Sequence, residues 1–182
     1  MNNKIERNSR LMVNVMKNNV LYVLKKIKEE TQEAPCKKTA QKIIYLLENT
    51  DGRLGFNYGI HFYGPYSSQL NQEIIIHQWE GLVNINQENL SHKLDVVYKD
   101  NIELCDNINQ EVVDKIIEQY AKWLPSKLEL LTTTLYVMKN ITIEDKEVVK
   151  GVRNIKGEKY TPNDINDAIK ELYDNKLIKT IN

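Results

Sequence analysis

The chain has 182 residues, 41% of them hydrophobic, with 25 basic and 25 acidic side chains. That is enough apolar material for one ordinary domain or two small ones to bury a core without disulfide staples, and a net charge of zero excludes a protein that holds a polyanion mainly by its total field. No apolar run approaches the roughly 20 residues of a membrane span, the start MNNKIERNSR lacks the layout of a secretion signal, and Cys36 and Cys105 form no CxxC pair, so a soluble cytoplasmic protein with reduced thiols and no membrane association is expected.

From about Ser9 to Glu30, Val13, Met16, Val20, Val23 and Ile27 recur at helical spacing. This stripe reads as the face that a first helix turns to its own domain. The alternative is a homodimer seam through the N-terminal helix, although the run is only about two heptads long. The charge is uneven: residues 1–42 hold ten basic against four acidic side chains, residues 43–144 seven against fourteen, and residues 145–182 eight against seven. Lys17, Lys25, Lys26 and Lys28 form either a local basic face or the solvated side of this helix.

Pro35 separates the first helix from a second, Lys37–Leu47. Asn49–Gly52 is a turn. The following stretch, Tyr58 to Tyr63, alternates as a half-buried strand does, with Tyr58, Ile60 and Phe62 on one face and His61 and Tyr63 on the other. The spacing predicts a turn at Gly64-Pro65, with Ser67 or Ser68 capping a third helix from about Ser68 to Trp79 and burying Leu70, Ile74 and Ile75. Glu80-Gly81 ends it. Leu82–Ile85 and Leu94–Tyr98 read as two short strands joined by a long polar loop from Asn86 to Lys93.

Beyond Cys105 the boundaries are set by capping signals. Asn109 opens a helix through Leu124. Ser126 with Glu129 reads as a capping box for a helix through Lys139, and Thr142 with Asp145 repeats the arrangement. Thr161-Pro162-Asn163-Asp164 supplies a cap, a first-turn proline and an acid for a helix through Asp174. Leu177 to Ile181 is expected to close as a strand.

Two stretches carry a resemblance. KKTAQKIIYLLE followed by HFYGPYSSQL is similar to the YwgA-like family of small bacterial and archaeal proteins. Its members pair a helix bearing two lysines and a tyrosine with a Gly-Pro joint that enters the next helix. The matching positions are Lys38, Lys42, Ile43, Tyr45 and Leu46, then Phe62, Gly64, Pro65, Tyr66, Ser67 and Leu70. LELLTTTLYVMKN through YTPNDINDAIKEL is also similar to the second half of some members, so the likeness covers most of residues 15–178. More distantly, the same residues resemble the Panacea, or SocA-like, antitoxin domain. The first resemblance implies a winged-helix fold and, by that fold, DNA binding; the second implies capture of a partner protein. In either case Lys38, Lys42, Tyr45, Phe62, Gly64, Pro65, Ser67 and Leu70 are expected to be structural.

No catalytic constellation stands out. His61, His77 and His92 lack metal-ligand spacing, there is no GxSxG, Walker or GxGxxG motif, and Ser67 and Ser68 are accounted for as caps. His77 reads as a core histidine. Neither cofactor nor metal is expected, and the chain reads as non-enzymatic. Two surfaces compete to carry a function. For double-stranded DNA the candidates are Ser68, Gln69 and Gln72 on the third helix and Lys156, Lys159, Asn163, Asn166 and Lys170 around the last one, the latter group having the better charge. For a protein partner the candidates are Tyr58, Tyr63, Tyr66 and Trp79, since partly exposed aromatics are favoured interface anchors.

The expected architecture is therefore α+β and predominantly helical. An N-terminal winged-helix unit with a small antiparallel sheet (1–105) packs on a C-terminal helical, helix-turn-helix-like unit (106–182). The expected function is a DNA-binding regulator, with a partner-binding, antitoxin-like module as the alternative.

Overall fold

The computed structural model describes residues 15–88, 91–98 and 101–178. Among them the chain is α+β, with seven helices and three two-stranded sheets. The first described element is β1 (Val15–Lys17), which pairs in parallel with β6 (Asn101–Glu103), Met16 lying opposite Ile102. The expected first helix is thus shorter: α1 runs Asn19–Thr31, capped by Asn18, whose side chain accepts from the Leu21 N–H. Met16 belongs to the strand, and Val13 lies outside the described residues.

α2 (Lys37–Glu48) is the central helix, with every residue from Thr39 to Leu47 buried. Such a helix is covered on all sides, and three of its buried positions, Thr39, Gln41 and Lys42, are polar. Their side chains must find partners inside the protein, because an unpaired polar group away from water is costly. Thr39 meets Cys36 Sγ, Lys42 bonds Pro65 and Gln41 bonds Ser67, the last two within and just after a hairpin of β2 (Gly59–His61) and β3 (Gly64–Tyr66) in which Gly59 faces Tyr66 and His61 faces Gly64. The turn expected at Gly64-Pro65 lies two residues earlier, at Phe62-Tyr63, and Gly64-Pro65 is itself strand. Gly64 takes φ +87°, which lets the hairpin close over two ordinary residues. The half-buried strand expected over 58–63 is also corrected: β2 is exposed along its whole length, and the buried positions are Gly64 and Pro65 of β3.

α3 (Ser68–Trp79) follows with Ser67 as its cap, its hydroxyl accepting from the Leu70 N–H. Leu70 and Ile74 are buried as expected, and Ile75 is half-buried. β4 (Val83–Glu88) and β5 (Ser91–Val96) pair antiparallel from Val83–Val96 to Glu88–Ser91, so most of the expected long polar loop is strand.

α4 (Gln110–Tyr120) is capped by Asn109. α5 (Pro125–Asn140) starts on Pro125 at its first turn and has no side-chain cap, so Ser126 and Glu129 form no capping box. α6 (Asp145–Lys156) likewise lacks a side-chain cap; Thr142 Oγ1 accepts from the Glu144 N–H instead. The Thr161–Asp164 box is present at the start of α7 (Pro162–Asp174). Leu177 and Ile178 are buried but not strand, and the rest of the expected terminal strand lies outside the described residues. One hydrophobic cluster runs through residues on both sides of position 105, including Leu24, Ile43 and Leu47 with Val113, Leu131 and Leu172. α5 reaches across to both α2 and β3. No helix among the described residues is long and apolar enough to cross a membrane.

Candidate interaction site

The β2–β3 hairpin is held from behind by a set of polar side chains and presents aromatic ones in front. Gln41 brackets the backbone of Ser67: its Nε2 donates to the Ser67 carbonyl, and its Oε1 accepts from the Ser67 N–H, each at 2.9 Å. The next residue, Lys42, only 3% exposed, donates to the Pro65 carbonyl at 2.6 Å. Lys156 reaches in from the end of α6, its side chain also 3% exposed, and donates to the Phe62 carbonyl at 2.6 Å while pairing with Glu129 of α5 at 2.8 Å. Lys159 pairs with the same Glu129 oxygen at 2.8 Å. Side chains of two helices, α2 and α6, thus fix four backbone groups between positions 62 and 67, with Glu129 of α5 pairing with the α6 lysine. The carbonyls serve as acceptors for the buried lysines, and Glu129 compensates part of their charge.

The electrostatics follow from this crowding. Burial, helped by the nearby Lys156 charge, pushes the Lys42 ammonium down to about 8, with Glu129 pulling the other way. Burial also lowers Lys156, although Glu129 resists that. For Glu129 burial acts upward, but hydrogen bonds from Lys156 and Lys159 and their charges overcome it and hold the carboxyl below its usual value.

On the outer side, Phe62 is 77% exposed at the hairpin tip, its ring edge-on to Tyr63 with centroids 5.0 Å apart. Ile60, Tyr63 and Tyr66 are exposed too. The Lys38 ammonium sits 4.0 Å above the Tyr63 ring, stiffening the tip and placing a cation beside it. Phe62, expected to be structural, is therefore among the most open apolar side chains of the fold. Trp79 is 81% exposed at the far end of α3, with Ile76 one turn before it. Tyr58 departs from the expected aromatic surface. It is half-buried, packs at a tilt against Tyr45 with centroids 5.0 Å apart, and donates its hydroxyl to the Gln41 carbonyl. The residues of the sequence resemblance, Lys38, Lys42 and Tyr45 on one side and Phe62 to Leu70 on the other, meet at this joint.

The residues proposed for nucleic acid are divided. Asn163, Asn166 and Lys170 are exposed on one side of α7, and Ser68, Gln69 and Gln72 are exposed on α3, where the Gln69 side chain also accepts from the Asn57 N–H. Lys156 and Lys159 do not join them as free cations. Lys156 is enclosed, and both are committed to Glu129. The sequence assigns Gln41 no role, and it assigns Glu129 only that of a capping acid. The signal for Gln41 was a polar residue inside an otherwise continuous buried run. The signal for Glu129 was masked by its resemblance to a capping acid. Protein-family models and curated proteins compared with the chain give no match.

Proposed function

We propose that this chain is a non-enzymatic protein-interaction module whose docking surface is the aromatic β2–β3 hairpin, of the partner-binding kind that the distant antitoxin-like resemblance implies. The observation that carries this reading is the contrast between the two sides of one short hairpin. Its backbone is anchored by Gln41, Lys42 and Lys156, while Ile60, Phe62, Tyr63 and Tyr66 stand open. Water-exposed apolar side chains on a rigid support lose little conformational freedom on docking, which is what an interface anchor needs. Lys38 over Tyr63 fits a partner that offers an apolar pocket rimmed by carboxylates. The order α1, α2, α3, β4–β5 supports reading the first part as a winged-helix-like unit used here as a scaffold. Regulation through duplex DNA is the weaker reading, because two of its intended phosphate contacts, Lys156 and Lys159, are engaged by Glu129.

The test is affinity purification from the native cell with wild type, Phe62→Ser and Tyr66→Ser side by side, followed by binding of the recovered partner to each purified protein. The variants are expected to melt like wild type and to bind the partner at least about tenfold more weakly, the cost of truncating an interface anchor. Equal binding by all three would overturn the proposal.

A further inference from the structure

His77 lies near the end of α3 and is only 6% exposed. Its imidazole meets three side chains. Nδ1 is 3.2 Å from Glu80 Oε2, while Nε2 is 3.1 Å from Asn18 Nδ2 and 3.6 Å from Glu73 Oε1. A carboxylate only accepts, so Nδ1 carries a proton in the neutral ring as well as in the charged one. The state of Nε2 is what is left to change.

Asn18 fixes what Nε2 must do. This residue caps α1, its Oδ1 accepting from the Leu21 N–H at 2.8 Å, and its own backbone N–H donates to the Glu103 carbonyl of β6. A side-chain nitrogen in place of that oxygen would set donor against donor, so the amide nitrogen is the atom that faces His77. Against this donor a neutral Nε2 accepts. A protonated Nε2 sets N–H against N–H, and the acceptor in reach is then Glu73.

We infer that His77 is a proton-operated latch between α3 and the cap of α1: neutral, it accepts from Asn18, and protonated, it lets go of Asn18 and pairs with Glu73. The latch is independent of the hairpin surface.

Among the described residues, the charged groups acting on the ring are Glu73 and Glu80 of its own helix. Those of the neighbouring elements are turned elsewhere. Lys17 of β1 pairs with Asp106, Glu103 of β6 accepts from Asn101, and Lys37 of α2 donates to Asn71 at the other end of α3. Glu88, the single charged residue of β4, lies at that strand's far end. The Glu73 carboxylate raises the imidazole above its ordinary 6.5, and Glu80 adds to this against burial. Stability drawn from a raised value is fully present below 6.5 and is lost as pH rises through the folded midpoint. Acid therefore breaks the Asn18 contact while favouring the pairing of the histidine with its carboxylates, and it loosens one cap without unfolding the chain.

The experiment follows the isotope-labelled full chain by NMR from about pH 5 to about pH 9, across the range in which histidine titrates. The exposed His61 and His92 serve as internal references. A nitrogen–nitrogen coupling across the Asn18–His77 hydrogen bond is expected above the His77 midpoint and lost below it. Through the same step, Leu21 amide exchange, corrected for its intrinsic pH dependence, should speed up about two- to fivefold on acidification, as a weakened cap allows. Glu73→Gln removes the competing charge and should lower the midpoint. Asn18→Asp keeps a capping oxygen and offers Nε2–H an acceptor, so the midpoint should rise and the Leu21 step should vanish. The wild-type series decides by itself where a variant fails to fold. No coupling at any pH, coupling that persists below the midpoint, a Leu21 rate without a step in the wild type, or a midpoint unmoved by Glu73→Gln would overturn the inference.

Discussion

Lys42 Nζ donates to the carbonyl oxygen of Pro65 across 2.6 Å, so a cation from the central helix of the core holds the strand behind the exposed aromatic tip. The same lysine is pushed down to about 8, by burial first and by Lys156 second. Its proton is therefore released at lower pH in the folded chain than in the unfolded one, where a lysine titrates near 10.5. A base with a depressed folded value penalises folding fully below that value, and the penalty is relieved as pH rises toward the unfolded value. The unfolding free energy of wild type minus that of Lys42→Met should climb between pH 8 and about 10.5, by on the order of 3 kcal/mol. Paired urea titrations across that window read it directly; a flat difference would contradict the buried, depressed lysine.

Glu129 compensates two lysines, one of them enclosed. Glu129→Gln leaves Lys156 without its counter-charge and should cost about 3 kcal/mol of stability, as removal of one partner from a buried pair does. Replacing both, Glu129→Leu with Lys156→Met, should recover a large part of that loss. Chemical denaturation of the two variants and the wild type decides it.

Gly64 has φ +87°, and a Cβ there would stand 2.7 Å from Thr133 Oγ1 on α5. Gly64→Ala should therefore lose about 1–3 kcal/mol from backbone strain and the clash together. In the Thr133→Ala background, where the clashing oxygen is gone, the same change should cost less. A double-mutant cycle separates the steric part from the backbone part.

Lys156 and Lys159, both paired with Glu129, should behave as structural groups. Lys156→Ala is expected to lower the melting temperature and to leave duplex-DNA binding, measured by fluorescence polarisation across a salt series, as weak as that of the wild type. Steeply salt-dependent DNA binding that falls in this variant would return weight to the regulator reading.

What the sequence made legible was local. α2 and α3 follow from apolar periodicity, Pro35 and the Ser67 cap, and the Thr161–Asp164 box at α7 is complete within four residues. The pairing of β1 with β6 was not legible, because two three-residue strands some 86 positions apart carry no pattern of their own. The hairpin turn was misplaced because Gly-Pro is a strong turn signal, whereas here glycine supplies the positive φ just after the turn and proline sits in a strand. Ser126 with Glu129 matched a capping box in spacing alone. Pro125 starts the helix without a side-chain cap, and Glu129, facing inward, pairs with lysines 27 and 30 residues away. The aromatic cluster was visible in the sequence, but which rings are open depends on α2 and α5 covering only one side of the hairpin. That is why Phe62 lies outside and Tyr58 is half-buried.

The docking claim is tested most directly by placing a photo-crosslinking phenylalanine analogue at position 62 in the native cell, with the same analogue at exposed position 170 on α7 as the control. A discrete protein adduct from position 62, absent from position 170 and lost when Tyr66→Ser is added, is the expected result. No discrete adduct from position 62, or the same adducts from both positions, would contradict a docking surface on the hairpin.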